Sequence, residues 1–487
     1  MSQRSRRAQQ HRRLQLTSAA ASALAERLAE LRVGSGVPAL AYSLFNREEE
    51  IFSRLDGGRD REAGLPVDED TLFGVASITK SVTCLAVLQL AAEGALSLDD
   101  PITRYLSFGL WNAGQEPTVR QLMNHCSGLP PLPTMTWLRG PTQAGDAITG
   151  GDAREVREMA AGRGGRLPDV SGFSGLIAYI DREIEPLGAP GEQFSYSNDG
   201  YCLLGAVVSE VAVVRFARFV ERRILAPLGM KRSTFSLAEV LADRNHATLY
   251  ARDEEGKVRR SPAWEDAGVM QGGGALKSTL ADLRRYVRFL MEPERAPELG
   301  LEADAVLAMS TGTAWCGVDN RYGLGLQETT APFGGRLVGH GGGLKGVSSQ
   351  LGWLPEEGVG VVVLTNLGGQ PAGLMALAGI NALTGVEVST PLYRPRAYRP
   401  RTGEIEPLLG LYRSGEPYGR VRLYRDDDGD LRAAVGSPVE DLPAALAGPD
   451  ELAVSGRWQQ QPISVLRHED GSVRGLFHGL RVLERQE

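Results

Sequence analysis

A proline-rich segment late in the chain separates two parts of different sequence pattern. Residues 389–407 contain four prolines among arginines and tyrosines, a composition typical of an extended linker. After this segment, short runs of alternating apolar and polar residues are separated by Asp-Gly or Gly-Pro turns, which predicts a small antiparallel β-barrel over residues 408–487. Before it lie a basic flexible tail, residues 1–13, and a long segment of mixed pattern, residues 14–388.

The long segment has strand patterns at both ends and helical patterns between them. Residues 37–52 alternate like two strands joined by a charged turn, and residues 348–353 and 359–365 predict two more strands. Residues 77–92 have the spacing of a buried helix, and residues 118–235 have a mainly helical pattern. We therefore expect one sheet that is assembled from the two ends of the segment and flanked by helices, in the α/β or α+β class.

Charge and hydropathy exclude several functions. The 53 basic and 60 acidic residues give a net charge of −7 without a basic stripe, so nucleic acid is not an expected partner. The apolar runs are shorter than the roughly 18 residues that span a bilayer, so no membrane span is expected. The basic tail resembles the start of an export signal, but polar residues interrupt the run that follows it. We expect an amphipathic helix with Leu24, Leu28 and Leu31 on one face, and a cytoplasmic protein, although export stays open.

The cysteines and histidines give no sign of a metal site or a disulfide framework. The four cysteines are far apart and form no Cys-x-x-Cys pair, and the six histidines are dispersed. Neither a metal nor another cofactor is expected from this pattern.

Ser77-x-x-Lys80 is the first candidate for chemistry. Only five of the 53 basic residues are lysines, and Lys80 lies three residues after a serine at the start of the apolar helix. Side chains at i and i+3 share a helix face, so the amine can reach the hydroxyl. A lysine partly withdrawn from water can take the serine proton, whereas an arginine stays protonated. The pattern is short, however, and also occurs by chance.

Two further constellations follow along the chain. Tyr196-Ser197-Asn198 precedes a helical run, where Tyr196 offers a phenol for proton transfer and Asn198 offers a donor and an acceptor. The alternative is an ordinary capping turn. Later, His340 is followed by Gly341, Gly342 and Gly343, glycines that would let a substrate approach the backbone closely.

Two other motifs match known functional patterns only in part. His-Gly-Gly-Gly is also an oxyanion motif of lipase-like hydrolases, but the chain lacks their Gly-x-Ser-x-Gly elbow. Residues 272–278 look like a phosphate-binding loop, yet Leu276 stands where that loop needs glycine.

Taken in order, the three constellations resemble the motifs of the serine β-lactamase and penicillin-binding-protein superfamily, in particular its class-C-like branch of esterases and D-aminopeptidases. Residues 118–130, 225–230 and 273–282 agree with this resemblance, which covers about residues 31–384. The C-terminal part is similar, by pattern alone, to the lipocalin-like barrels appended to some members.

The resemblance implies a role for each motif residue. Ser77 would be the acylated nucleophile, Lys80 its base, Tyr196 the proton shuttle to the leaving group, and Asn198 a polar anchor for the substrate. His340 is a further candidate catalytic residue. The backbone N–H groups of Ser77 and Gly343 would form the oxyanion hole, and Gly341 and Gly342 would line the substrate site. His340 stands where β-lactamases usually carry a lysine, and Gly341 where they carry a hydroxyl residue, so efficient β-lactam hydrolysis is not expected.

These observations predict a serine hydrolase that cleaves an amide or ester of a small molecule or peptide, plausibly one containing D-residues. Two alternatives stay open: an acyltransferase that cyclises peptides, as penicillin-binding-protein-type thioesterases do, and a non-catalytic binding protein on the same fold. Residues 132–181 exceed a minimal connection and are interpreted as a lid. His125 is interpreted as a structural core residue. The sequence does not specify the oligomeric state.

Overall fold

A nine-stranded antiparallel sheet forms the centre of the larger part of the chain. The computed structural model describes residues 14–108, 116–135, 167–253, 255–260, 264, 268–416, 419–436 and 439–486. The strands before the C-terminal part are β1 Ala39–Asn46, β2 Glu50–Asp60, β3 Leu65–Pro66, β4 Phe73–Gly74, β5 Tyr250–Arg252, β6 Val258–Arg260, β7 Lys277–Ser278, β8 Ala314–Trp315, β9 Asn320–Tyr322, β10 Gln327–Thr330, β11 Arg336–Leu344, β12 Val347–Leu354 and β13 Val359–Thr365. The order in the sheet is β3-β2-β1-β13-β12-β11-β10-β9-β8, while β4 pairs with β7 and β5 with β6.

Helices cover both faces of this sheet. They are α1 Ser18–Gly34, α2 Thr79–Ala92, α3 Val119–Met123, α4 Phe173–Glu183, α5 Asn198–Ala212, α6 Phe216–Val220, α7 Leu237–Ala242, α8 Gln271–Gly274, α9 Leu280–Met291, α10 Ala303–Ser310 and α11 Ala372–Thr384. None of these described helices has both the length and the hydropathy that crossing a membrane requires.

The central strand β13 is almost entirely apolar because both of its faces are covered. All seven residues of β13 are buried, and it pairs with β1 from the other end of the segment. One face packs against α1 and α11, with Leu24, Leu28 and Leu31 in that core cluster. The opposite face belongs to the larger cluster, which includes α2, α5 and α9. Burial on both faces explains why β13 is a continuous hydrophobic run rather than an alternating one.

The predicted sheet assembled from two chain ends is therefore confirmed, and so is the mixed α/β class. The sheet is larger than predicted, because β8 to β11 extend it beyond β12. The glycine motif after His340 is itself part of a strand, β11, which precedes the two strands predicted from the sequence. Most of the predicted lid, residues 136–166, lies outside the described residues, while its last part includes the start of α4.

The C-terminal part is a closed eight-stranded barrel, as the sequence predicts. Its strands follow one another in order around the barrel: β14 Gly410–Arg413, β15 Arg420–Arg425, β16 Leu431–Val435, β17 Glu440–Gly448, β18 Glu451–Ser455, β19 Gln460–Arg467, β20 Val473–His478 and β21 Arg481–Arg485. The inward side chains form a separate core that includes Val421, Leu452 and Ile463. Residues 386–405, between the large sheet and the barrel, form neither helix nor strand.

Candidate active site

Ser77 lies on a strained turn that leads into helix α2. Ala76, the residue before it, has a φ of +47°, which non-glycine residues adopt only when their surroundings hold them there. The neighbouring backbone is fixed by two hydrogen bonds: the Val75 N–H donates to Leu276 O (3.1 Å), and the Thr79 hydroxyl donates to Ala76 O (2.6 Å). The turn thereby holds Ser77 at one defined place beside strand β11.

Lys80 is fully buried, and its side-chain nitrogen has three hydrogen-bond partners. Its Nζ lies 3.1 Å from Ser77 Oγ, 2.8 Å from Asn198 Oδ1 and 2.7 Å from Gly273 O. All three partners are neutral oxygens. A neutral amine would keep one N–H for Asn198 and one for Gly273, and its lone pair would then face the Ser77 hydroxyl. The geometry therefore suits the removal of a proton from Ser77.

Asn198 reaches Lys80 because of the way in which helix α5 begins. Ser197 is the N-cap residue, and its hydroxyl accepts a hydrogen bond from the Gly200 N–H (3.0 Å). Asn198 is the first residue of the helix, and its Oδ1 accepts from Lys80. The capping turn that the sequence offered as an alternative is present, and the same turn also brings Asn198 to the candidate nucleophile and base.

Tyr196 is buried beside two basic side chains. The centroid of its ring lies 4.8 Å from Lys80 Nζ and 4.6 Å from the guanidinium carbon of Arg481. Cations near an aromatic face are attracted by its quadrupole. The backbone N–H of Tyr196 donates to Leu480 O (3.2 Å), so the residue is held by main chain as well as by side chains.

His340 lies near Tyr196, with 6.2 Å between the two ring centroids. Its Nε2 is 2.9 Å from the Tyr322 hydroxyl, and its Nδ1 is 2.6 Å from Gly341 O. Burial, with the charge of Lys80, lowers the pKa of His340 to about 3. The imidazole is therefore neutral at ordinary pH, with Nδ1–H donating to the carbonyl and Nε2 accepting from the phenol. His340 cannot replace the positive charge of a lysine here.

The glycines of β11 let this strand pass close to the Ser77 turn. A Cβ at Gly342 would lie 2.2 Å from Val75 O and 2.3 Å from Ser349 Oγ. A Cβ at Gly341 would lie 2.9 Å from Gln350 Oε1, whereas one at Gly343 would meet no described atom within 4 Å. Gly342 thus permits the close approach of the strand, and Gly343 faces open space beside the nucleophile.

Three residues of the barrel also reach this site, and no sequence pattern indicates them. The turn between β20 and β21 supplies Leu480 O to Tyr196, and the next residue, Arg481, lies against the Tyr196 ring. Glu416, after β14, pairs with Arg481 (Oε2 to Nε, 2.8 Å) and lies 3.5 Å from Asn198 Nδ2. Gly479 marks a tight turn in the sequence, but nothing there shows what that turn contacts.

The segment that resembled a phosphate-binding loop contributes backbone carbonyls to the surroundings of Lys80. Its Gly273 carbonyl accepts from Lys80, and its Gly272 carbonyl accepts from the Thr83 hydroxyl (2.7 Å). A Cβ at Gly272 would lie 2.4 Å from Tyr201 O, so helix α8 packs against α5 only with glycine there. In the described part of the chain, no group of three or more His, Cys, Asp or Glu side chains could hold a metal ion.

Comparisons with known proteins agree with this architecture. A family described as Beta-lactamase matches residues 22–384. The chain is 27% identical over 400 residues to Protein Rv1367c of Mycobacterium tuberculosis, which covers 73% of this chain and 93% of that protein. It is 36% identical over 205 residues to Esterase EstB of Burkholderia gladioli, which covers 41% of this chain and 47% of the esterase.

A solved structure extends the similarity to the whole chain. The octameric penicillin-binding protein homologue from Pyrococcus abyssi aligns with a TM-score of 0.67 and 27% identity, over 95% of this chain and 99% of that one. The likeness therefore includes the barrel as well as the large sheet.

Proposed function

This chain belongs to the beta-lactamase family, a superfamily of serine hydrolases, and we propose that it forms an acyl-enzyme at Ser77 and cleaves an amide or ester. One observation carries the proposal: Lys80 is fully buried, lies 3.1 Å from Ser77 Oγ, and has only neutral oxygens as its hydrogen-bond partners. Lys80 is thus suited to act as the base.

Acylation begins when Lys80 takes the Ser77 proton and Ser77 Oγ attacks the substrate carbonyl carbon. The backbone N–H groups of Ser77 and Gly343 stabilise the oxyanion. When the bond to the leaving group breaks, Tyr196 gives its phenol proton to that group, while Lys80 and Arg481 lie beside its ring. Asn198, which is bonded to Lys80, holds the substrate amide or ester. In deacylation, water gives a proton to the Tyr196 oxygen as it attacks the acyl carbon, and Lys80 returns its proton to Ser77 Oγ as the acyl bond breaks.

The substrate is proposed to be a small molecule or peptide, plausibly one that contains D-residues. The similarity to an esterase and to a penicillin-binding protein homologue supports acyl chemistry on either esters or amides. His340 is neutral, and Gly341 has no hydroxyl, so the site lacks the groups that would hold a β-lactam carboxylate. We accordingly expect weak β-lactam hydrolysis.

Covalent labelling tests this proposal directly. The wild-type protein should form a fluorophosphonate adduct that mass spectrometry places on Ser77, and the Ser77→Ala variant should remain unlabelled. A panel of D- and L-aminoacyl amides, simple esters and a peptidyl thioester then identifies the product. Free acid indicates hydrolysis, and a cyclised peptide indicates acyl transfer. A wild-type protein that takes up no label would instead favour a binding role.

A further inference from the structure

His125 is a core residue that also packs against the ring of the candidate catalytic residue Tyr196. It follows helix α3 with a φ of +59°, and it is almost completely buried. Positive φ is uncommon for non-glycine residues, although histidine adopts it more often than most. A non-glycine backbone in this conformation is strained, so the surrounding contacts must maintain it.

Two hydrogen bonds from the segment around Tyr196 end on His125. The Ser195 N–H donates to the His125 carbonyl (2.8 Å), and the Ser197 N–H donates to Nδ1 of its ring (3.1 Å). The ring centroid lies 4.1 Å from that of Tyr196, with 33° between the two planes. One residue therefore holds the backbone on both sides of Tyr196 and also contacts its ring.

The ring of His125 is neutral and carries its proton on the far nitrogen. Burial, with the positive charges of Lys80 and Arg481, holds the pKa of His125 well below its usual range. Because Nδ1 accepts from Ser197, Nε2 carries the hydrogen, and it is buried without a hydrogen-bond partner among the described residues. An unpaired buried N–H is destabilising, and an apolar ring at this position would avoid that cost. The acceptor at Nδ1 is what an apolar ring could not supply.

We propose that His125 is a positioning residue for the reaction at Ser77, which fixes the orientation of Tyr196 and, through the Ser197 N–H, the first turn of the helix that carries Asn198 to Lys80. This inference rests on the proposed function. A shift of about 1 Å in a catalytic group is enough to cost roughly a hundredfold in rate. The ring and the two acceptors of His125 prevent such a shift at Tyr196.

Leaving-group dependence separates positioning from a merely structural role. A p-nitrophenolate leaves without a proton, whereas an amine or alkoxide leaving group needs one, and Tyr196 is the proposed donor. In the His125→Gly variant, kcat/KM for an amide or alkyl ester should fall at least about tenfold more than for the matching p-nitrophenyl ester, as it should in Tyr196→Phe. A structural role would lower both activities equally, through the fraction folded.

Conservative variants complete the test. Asparagine tolerates positive φ and offers an oxygen acceptor to the Ser197 N–H. The His125→Asn variant should therefore recover part of the kcat/KM that His125→Gly loses on the amide or alkyl ester. It should also fold if the glycine variant does not. Val213→Gly serves as the control, because Val213 has a φ of +52° and is 91% exposed, away from the site. Equal losses on both substrates, or no loss, in His125→Gly and His125→Asn would overturn the inference. A wild-type protein that takes up no fluorophosphonate would overturn the proposed function instead.

Discussion

The guanidinium carbon of Arg481 lies 4.6 Å from the ring centroid of Tyr196, although one residue belongs to the barrel and the other to the candidate active site. Arg481 also pairs with Glu416, and the side chains of this pair are only 18% and 13% exposed. The barrel therefore contributes charge at the tyrosine that the large sheet and its helices do not supply by themselves.

Removing this charge should slow the reaction without unfolding the protein. In Arg481→Met we expect kcat/KM on an amide or alkyl ester to fall about three- to thirtyfold, which corresponds to the loss of a partly desolvated cation–π contact. Arg474→Met is the matched control, because Arg474 contacts Gln193 at the same interface, and Tyr196 is not the partner of that bond. Equal rates in the two variants, measured with equal melting temperatures, would contradict the role of Arg481.

The Arg481–Glu416 pair should have a measurable coupling energy. A double-mutant cycle of Arg481→Met and Glu416→Gln, followed by chemical denaturation, should give about 1 kcal/mol, because the pair is only partly shielded from water. The coupling should shrink in high salt. A value of zero at low salt would show that the pair does not hold the barrel turn against Tyr196.

Replacing the buried lysine by another cation should abolish acylation. Lys80→Arg keeps a positive charge but cannot give up its proton, so we expect the rate of fluorophosphonate labelling at Ser77 to fall at least about 10³-fold. Lys257→Arg, on the exposed side of the protein, should label at the wild-type rate. Melting curves of both variants check that the loss is chemical rather than structural.

Alanine substitutions at two adjacent glycines of β11 should affect different properties, namely stability at Gly342 and substrate binding at Gly343. Gly342→Ala places a methyl group 2.2 Å from Val75 O, so strand β11 must move, at a cost of about 1–3 kcal/mol in the free energy of unfolding. Gly343→Ala meets no described atom, so its stability should remain near that of the wild type while KM rises, because the methyl group enters the proposed substrate space. Thermal melts and steady-state kinetics of the two variants provide the comparison.

A buried carboxyl beside Asn198 should make stability depend on pH. Burial raises the pKa of Asp199 from 3.8 to about 7. Between these values the folded protein retains a proton that the unfolded chain has lost, so the free energy of unfolding falls as the pH rises from about 4 to 7. Asp199→Asn should flatten this decline when urea denaturation is measured at pH 5 and pH 8. Asp427→Asn, at an exposed barrel turn, is the control for the loss of one negative charge.

Short-range patterns carried most of what the sequence could predict. Ser77 and Lys80 are three residues apart, and a helical face brings them together whatever the rest of the fold does. Strand patterns at both ends of the long segment, with helical patterns between them, indicated one sheet built from β1 and β13.

Long-range docking could not be predicted in the same way. Arg481 and Glu416 look like ordinary surface charges in the sequence, and only the packing of the barrel brings them to Tyr196 and Asn198. Likewise, the glycines after His340 indicate that some group approaches the backbone closely, but the sequence does not show that for Gly342 this group is the Val75 carbonyl. The sequence shows where a glycine stands, but it does not show which distant residue packs against that glycine.

The contact between the barrel and the candidate active site also bears on the order of folding. Asn198 and Glu416 are 218 residues apart along the chain, and a contact of such separation must wait until both segments have been synthesised. Domains generally fold from the N-terminus onward as the ribosome releases them. We therefore expect a nascent chain to have its serine and lysine together well before the barrel turn holds the tyrosine. Full reactivity would then appear only when the barrel has closed.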